Sequence, residues 1–248
     1  VQELARRFEI SDQTVRRIVK PLAEKGRLRK VHGAIVSTDN PGDPPFMARM
    51  NLARQAKAAI ADAVASIVRD GDSLAIDTGS TSGFVALSLR ARRRLTVVTN
   101  SAFIASTLAM VEGNRVFMAG SQLRDHDGAA FDRSTFAVIE RMRVDYALLS
   151  ASFVDPELGF LVHEKCEVDV ASAMKASANR CMMAVDHTKF SSRQRRPHFR
   201  QPPPSPGDLV VTDRDPGPTF SRLLESLELH VAGPAISRRR AQAQNGME

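Results

Sequence analysis

The 248-residue sequence has no tryptophan, a single tyrosine and only two cysteines. Proteins that bind single-stranded nucleic acid stack its bases on aromatic side chains, so this shortage argues against that function. The two cysteines, Cys166 and Cys181, lack C-x-x-C spacing. We therefore expect two reduced, structural thiols in a cytoplasmic protein.

Long apolar runs are missing as well. No stretch approaches the roughly 18 consecutive apolar residues of a membrane helix, and no secretory signal is visible, so we expect no membrane partner. An acidic cluster with a histidine, H-E-x-x-E, lies at His163, Glu164 and Glu167. It lacks the second histidine of the zinc signature H-E-x-x-H, and we expect neither a metal nor a cofactor.

The whole chain has a net charge of +7. The positive charge is concentrated at its two ends. Residues 1–35 hold 9 Lys and Arg against 4 Asp and Glu, and residues 191–248 hold 9 against 6. The residues between them hold 17 against 18 and are nearly neutral. A basic head on a neutral body is typical of a protein that binds a polyanion such as DNA.

Residues 1–36 have the pattern of a winged helix-turn-helix. Apolar side chains fall on one face of a first helix at Val1, Leu4, Ala5 and Phe8, and the facing residues of a second helix are Val15, Val19 (or Ile18) and Leu22. Ser11 can cap that second helix, and Gly26 can end it. A short basic hairpin, RLRKVHGAI, follows as a candidate wing. The exposed start of the second helix is where a recognition helix meets DNA.

The remaining chain alternates short apolar runs with helical stretches. The runs are LAID (74–77), LTVVT (95–99), RVFMA (115–119), DYALLS (145–150), CMMAVD (181–186), LVVTD (209–213) and LELHVA (227–232). Such runs are typical of strands buried on both faces, and the alternation predicts a doubly wound, mostly parallel α/β domain over residues 51–232. Residues 37–50 read as a linker, about 191–207 as an irregular, exposed Pro/Arg-rich insertion and 233–248 as a disordered tail.

The segment DTGSTSG follows the first of these strands and leads into a helix. A loop of small residues at this place exposes backbone N–H groups and the positive end of the helix, and both favour a phosphate group. Polar residues also follow several other predicted strands, including Asn100, Ser121 and Asp186. Ligands of open parallel sheets bind beyond the carboxyl ends of the strands. The sequence therefore predicts a site for a small anionic metabolite there.

Both halves resemble one known family. VQELARRFEISDQTVRRIVKPLAEKGRLRKVHGA resembles the winged helix-turn-helix of the DeoR family of bacterial transcription regulators. DTGSTSG, VVTNS, VFMAGSQLRDHDG, DYALLSASFVDPELGF, EVDVASAM and MMAVDHTKF resemble, in this order, the effector domain of that family. That domain is similar to sugar-phosphate isomerases and usually senses a phosphorylated sugar or polyol. MAGSQLRDHDG and VDHTKF look most like the branch that controls glycerol 3-phosphate metabolism.

The resemblance implies a set of functional residues. The pattern of helices and hairpin itself already predicts the DNA-binding residues Ser11, Gln13, Thr14, Arg16, Arg17, Arg29, Lys30 and His32. The effector-binding residues would be Asp77, Gly79, Ser80, Thr81, Asn100, Gly120, Glu167, Asp186 and Lys189. It also implies that the family's first helix is missing before Val1, so that the head is truncated.

We therefore expect a repressor, not an enzyme, of sugar or glycerol metabolism genes. Its partners would be double-stranded operator DNA, a phosphorylated sugar or polyol such as glycerol 3-phosphate, and further copies of itself in a dimer or tetramer. One alternative is a sugar-phosphate isomerase-like enzyme that uses Asp77, Glu167 and Asp186. Another is a decayed family member, because Pro21 interrupts the recognition helix and Ala171 replaces a lysine of the family.

Overall fold

All seven apolar runs form strands of one parallel sheet in the computed structural model. The structure describes residues 2–24, 28–31, 34–37, 44–191 and 197–233. For residues 24, 28–31 and 34–37 it describes the backbone only. The helices are α1 (Gln2–Arg7), α2 (Asp12–Glu24), α3 (Phe46–Met50), α4 (Arg54–Ile67), α5 (Ser80–Leu89), α6 (Ala102–Ala109), α7 (Arg133–Ile139), α8 (Lys165–Ser177) and α9 (Ser221–Leu224). Short 3-10 helices span His187–Lys189 and Pro218–Phe220.

The strands belong to three sheets. They are β1 (Leu28–Val31), β2 (Ala34–Ser37), β3 (Ser73–Ile76), β4 (Thr96–Thr99), β5 (Arg115–Met118), β6 (Val144–Leu149), β7 (Phe153–Asp155), β8 (Gly159–Val162), β9 (Ala178–Ala184), β10 (Phe199–Arg200), β11 (Leu209–Thr212) and β12 (Glu228–Val231). The large sheet has the order β12-β11-β9-β6-β3-β4-β5 and is parallel at every described pairing. Strands β1 and β2 form an antiparallel hairpin, and β10, β8 and β7 form a small antiparallel sheet.

Two hydrophobic cores cover the two faces of the large sheet. On one face, Leu74 and Ile76 of β3 pack with side chains from α4, α5 and α6. On the other face, Ala75 of the same strand packs with side chains from α7, α8, the small sheet and α9. Because neighbouring side chains of a strand point to opposite faces, central strands buried on both sides read as unbroken apolar runs. The predicted doubly wound fold is confirmed.

The head has a small core of its own. Ala5, Val15 and Val19 are buried against Leu4 and Ile10, as the spacing predicts. The Oγ atom of Ser11 accepts a hydrogen bond from the N–H of Thr14 at 3.1 Å and so caps α2. Phe8 departs from the prediction and is 63% exposed, because α1 ends at Arg7 and the chain has already turned away.

Proline 21 lies inside α2, and the helix nevertheless continues to Glu24. Because proline has no N–H, it cannot donate the usual helical hydrogen bond to the carbonyl of Arg17. Val1, Gly26 and His32, which carry sequence predictions, lie outside the described residues.

Part of the expected linker, residues 37–50, packs on the α/β unit. Phe46 of α3 is buried, its N–H donates to the carbonyl of His126 at 2.9 Å, and its ring lies 5.1 Å from that of Phe103. The buried ammonium group of Lys57 donates to the backbone carbonyls of Arg49 and Leu52. These contacts fix the C-terminal end of α3 beside the large sheet.

The expected exposed insertion is ordered over residues 197–207. Phe199 and Arg200 form β10, which pairs with β8, and Gln201 is only 4% exposed. Most side chains of residues 197–207 are exposed, as expected. The structure departs from the expected irregular segment at β10, because backbone pairing with a distant strand outweighs the local composition. Residues 192–196, and the tail from residue 234, lie outside the described ranges.

Candidate functional site

A cleft opens at the carboxyl ends of β3, β4 and β6, the edge where the sequence predicts a site. Its lining residues are Arg49, Asp77, Thr78, Gly79, Ser80, Thr81, Asn100, Phe131, Ser150, Ala151, Ser152, Val162, Glu167, Val170, Lys189 and Gln201. Seven of the nine predicted effector-binding residues are in this set: Asp77, Gly79, Ser80, Thr81, Asn100, Glu167 and Lys189. The structure therefore brings together residues that lie more than a hundred positions apart in sequence.

Asp77 holds the loop between β3 and α5. One carboxylate oxygen accepts from the N–H of Gly79 at 3.1 Å and from the hydroxyl of Ser82. The other accepts from the N–H and the hydroxyl of Ser150, at 2.6 and 2.9 Å. Asp77 thus ties the end of β3 to the end of β6, and its negative charge is compensated by four donors.

Gly79 lets this loop approach β6. A Cβ atom at this position would lie 2.7 Å from the Cβ of Ser150, which is closer than such atoms come in proteins. Gly79 is also the N-cap residue of α5, and it has no side chain to cap the helix. The first N–H groups of α5 and the hydroxyls of Ser80 and Thr81 are therefore suited to an anionic group in the cleft.

Lys189 brings a positive charge to the cleft from a different element. It ends the 3-10 helix His187–Lys189, and its N–H donates to the carbonyl of Asp186 at 3.0 Å. The Asp186 carboxylate is 1% exposed, accepts from the N–H of Thr188 and caps this turn. Asp186 is not among the residues that line the cleft, and its carboxylate caps the turn that carries Lys189.

Gly120 likewise lies outside the cleft lining. Its φ angle is +104°, and an added Cβ would overlap the Cβ of Ala130 and lie 2.5 Å from Oγ1 of Thr135. Backbone conformation and packing both require glycine here. The following loop is held by Asp132, whose carboxylate accepts from Ser134 and from the N–H groups of Gln122 and Ser121, and these hydrogen bonds lower its pKa.

Glu167 enters the cleft from the first turn of α8. Its carboxylate accepts from the N–H of Glu164 at 3.1 Å, as part of a capping box, and lies 3.5 Å from the guanidinium of Arg124. Arg124 also pairs with Asp127 and Glu164 and stacks 4.0 Å from the ring of Phe131. Burial lowers the pKa of Arg124, but these carboxylates outweigh it and raise that pKa above its ordinary value.

Sequence reasoning missed five polar lining residues, Arg49, Thr78, Ser150, Ser152 and Gln201, and two of these come from segments expected to lie outside the site. Arg49 lies in α3, inside the expected linker, and Gln201 lies in the expected exposed insertion. Phe46 is an apolar residue in a polar stretch just before Arg49, and it is buried. This pattern could have indicated that α3 packs against the sensor domain. Gln201 gives no such local signal.

The cysteines lie outside the cleft lining. Cys181 is buried in the sheet, where burial raises its pKa to about 12, and burial raises the pKa of Cys166 to about 11. Both thiols are therefore protonated and poor nucleophiles near neutral pH. Within the described ranges, no group of three His, Cys, Asp or Glu side chains is arranged to hold a metal ion. No helix there is long and apolar enough to cross a bilayer.

The start of α2 presents the polar side chains predicted to contact DNA. Gln13, Arg16 and Arg17 are exposed, and Thr14 is half-buried. Ser11 is exposed as well, but its hydroxyl is engaged with Thr14, so it shapes the start of the helix. Arg29 and Lys30 lie in β1, in the position of a wing.

Comparison with known families matches both parts of the chain. The model of the DeoR C terminal sensor domain matches residues 52–214, and that of the DeoR-like helix-turn-helix domain matches residues 1–40. The Glycerol-3-phosphate regulon repressor of Escherichia coli is 31% identical over 223 residues, which cover 90% of this chain and 87% of that protein. The Transcriptional repressor AccR of Agrobacterium fabrum is 33% identical over 193 residues, covering 77% and 75%.

Similar solved structures include ribose 5 phosphate isomerase A from Neisseria gonorrhoeae, with 18% identity, a TM-score of 0.40 and coverage of 59% of this chain and 56% of that chain. A likeness this distant carries no functional conclusion. The two family models together span most of the sequence, and the alignment with the Escherichia coli relative covers 90% of this chain. The chain therefore belongs to the DeoR family of transcription regulators, with a DeoR-type helix-turn-helix followed by a sensor domain.

Proposed function

We propose that this chain represses transcription by binding double-stranded DNA through α2 and that a phosphorylated polyol or sugar in the cleft controls this binding. The single observation that carries the proposal is the uncapped start of α5 facing a cleft that also holds Lys189 and Arg49. A helix N-terminus with two cations beside it favours a dianionic phosphate ester. The name of the Escherichia coli relative makes glycerol 3-phosphate the first ligand to test.

We propose that the cleft binds its ligand without turnover. A carboxylate that acts as a general acid or base must be available to exchange protons with the substrate. Asp77 accepts from four donors, and Glu167 is held by Arg124 and by the N–H of Glu164. These interactions stabilise both groups as structural carboxylates and favour a sensor over an isomerase.

We propose that α3 couples the cleft to the head. Arg49 lines the cleft from α3, which is the first described helix after the wing strand β2. A phosphate that attracts the guanidinium of Arg49 would change the position of α3 and so the placement of the heads. Coupling of this kind is worth typically about 1–3 kcal/mol. We further propose a symmetric oligomer, because two heads match the two halves of a palindromic operator.

The head is tested by removing two exposed arginines of α2. Arg16→Ala combined with Arg17→Ala should weaken binding of a short random-sequence DNA duplex in a mobility-shift assay. If both contact phosphates, the dependence of log K on log salt should become shallower by about 0.9 for each contact. A duplex enriched on the wild-type chain should also be released by glycerol 3-phosphate.

The matched control removes two exposed arginines of the sensor domain, Arg90→Ala with Arg141→Ala. It changes the net charge equally and should leave the salt slope nearly as it is in the wild type. Equal losses in both double variants would show that overall charge, and not the surface of α2, determines DNA binding.

A further inference from the structure

Two buried amide side chains flank the loop between β3 and α5. Asn100 follows β4 and is 0% exposed, and Gln201 is 4% exposed. The carbonyl oxygens of both side chains, Oδ1 of Asn100 and Oε1 of Gln201, are buried and have no hydrogen-bond partner among the described residues. Both residues line the cleft. A buried acceptor without a donor is unfavourable, so this pair indicates that the cleft receives donors from a ligand.

The orientation of each amide is fixed by a carbonyl group next to it. Nδ2 of Asn100 donates to the carbonyl of Ala130 at 3.0 Å, and Nε2 of Gln201 donates to the carbonyl of Ser150 at 3.1 Å. Turning either amide over would bring two oxygens together, so the assignment follows from the neighbours. The groups left for a ligand are therefore two acceptors.

The two acceptors lie on different sides of the predicted phosphate position. Strand β3 lies between β6 and β4 in the sheet. Asn100 belongs to the β4 side, whereas Gln201 is bound to Ser150, at the end of β6. A ligand whose phosphate lies at the start of α5 would thus have one amide oxygen to either side of its carbon skeleton.

The backbone of Gln201 is held in place before any ligand arrives. Its N–H donates to the carbonyl of Phe160 at 2.8 Å, and the preceding strand β10 pairs with β8 through Phe199 and Arg200. The side chain is therefore part of a preorganised wall, which lowers the entropy that ligand binding would have to offset.

We propose that Asn100 and Gln201 make the cleft selective for phosphate esters that carry at least two free hydroxyl groups, with Gln201 as a specificity-determining residue. The proposal rests on the proposed sensor function and defines its ligand class. Hydroxyl groups donate to the two amide oxygens, whereas a ketone or carboxylate oxygen in the same place would face another acceptor. Thr78 also lines the cleft, but it does not distinguish a ligand hydroxyl from a ketone oxygen, because its own hydroxyl can donate or accept.

The test compares three probes by isothermal titration calorimetry on the full chain. Glycerol 3-phosphate offers two hydroxyls, dihydroxyacetone phosphate offers one hydroxyl and a ketone, and inorganic phosphate tests the anion site alone. We expect the wild type to prefer glycerol 3-phosphate over dihydroxyacetone phosphate by at least about tenfold. This comparison needs no variant, so it does not depend on how a substitution folds.

The variant Gln201→Met then removes the amide at nearly constant length. It should lower the affinity for glycerol 3-phosphate by about tenfold and leave that for dihydroxyacetone phosphate nearly unchanged, so that the preference collapses. The control Gln122→Met makes the same chemical change at an exposed residue outside the cleft and should keep the preference.

The possible outcomes distinguish a failure of the hydroxyl selectivity from a failure of the proposed sensor function. Equal binding of the two esters by the wild type would overturn the selectivity and leave the sensor function standing. A preference that survives in Gln201→Met would overturn the role of Gln201, and ordered water would then be the donor to its oxygen. If no probe binds the wild type, both the sensor function and the selectivity are wrong.

Discussion

Gly79→Ala should weaken ligand binding by the sensor domain about ten- to a hundredfold. The new methyl group would lie 2.7 Å from the Cβ of Ser150, so the start of α5 must move away from β6. The N–H groups of Ser80 and Thr81 would then be displaced in the cleft that Lys189 also lines. Losing one charge-assisted hydrogen bond costs about 1.5–3 kcal/mol, which is about ten- to a hundredfold in affinity. Calorimetric titration with glycerol 3-phosphate measures this loss.

Two further variants show whether the overlap is the cause. Ser150→Gly in the Gly79→Ala background removes the atoms that the methyl group meets and should restore part of the affinity. Gly233→Ala adds the same methyl group where no atom lies within 4 Å and should bind as the wild type does. Full binding by Gly79→Ala alone would mean that this loop does not hold the ligand.

Gly120→Ala should cause the largest loss of stability, at least about 3 kcal/mol of the free energy of unfolding. Two costs add here, a backbone conformation that side chains rarely adopt and an overlap with Ala130 and Thr135. Urea unfolding of the variant and the wild type measures the difference.

Gly71→Ala is the matched control, because Gly71 has a similar φ of +91° but no atom within 4 Å of an added Cβ. It carries the backbone cost alone and should lose only about 1 kcal/mol. Equal losses for the two variants would show that the packing around Gly120 is not as the structure has it. Gly120 would then again be a candidate for direct contact with the ligand.

The large sheet could be predicted because its strands are buried on both faces and so form unbroken apolar runs. The small sheet was not predicted, although its strand β8 is also a short, fully buried apolar run, GFLV. The turn of its β7–β8 hairpin is marked by Asp155, whose carboxylate accepts from the N–H groups of Glu157 and Leu158, and by Gly159, with a φ of +81°. The pairing of β10 with β8 is a long-range contact that local composition cannot reveal.

The position of the cleft could also be predicted, but only some of its lining residues could. Residues at strand ends, such as Asp77 and Asn100, were found because parallel strands place their carboxyl ends at one edge. That rule gives the neighbourhood of a residue and not the direction of its side chain, so it also selected Gly120 and Asp186, which do not line the cleft. It missed Arg49 and Gln201, because neither belongs to a strand of the large sheet.

The departures of this chain from the family pattern have local structural consequences. Asp132 caps α7 and holds the loop after β5. Ala171, where it implies a lysine, is buried in the core of the sensor domain. Arg49 and Lys189 are the cationic residues that line the cleft in the described part of the chain. The charge available to a phosphate therefore comes from α3 and from the turn after β9.

Titration calorimetry of glycerol 3-phosphate against the full chain and its Lys189→Met variant tests the central claim most directly. We expect one binding event per chain, no binding of glycerol, and an affinity about ten- to a hundredfold lower in Lys189→Met. Lys165→Met, which removes an exposed lysine of α8 outside the cleft, should bind as the wild type does. Undiminished affinity in Lys189→Met, or equal binding of glycerol, would contradict a phosphate site at the ends of these strands.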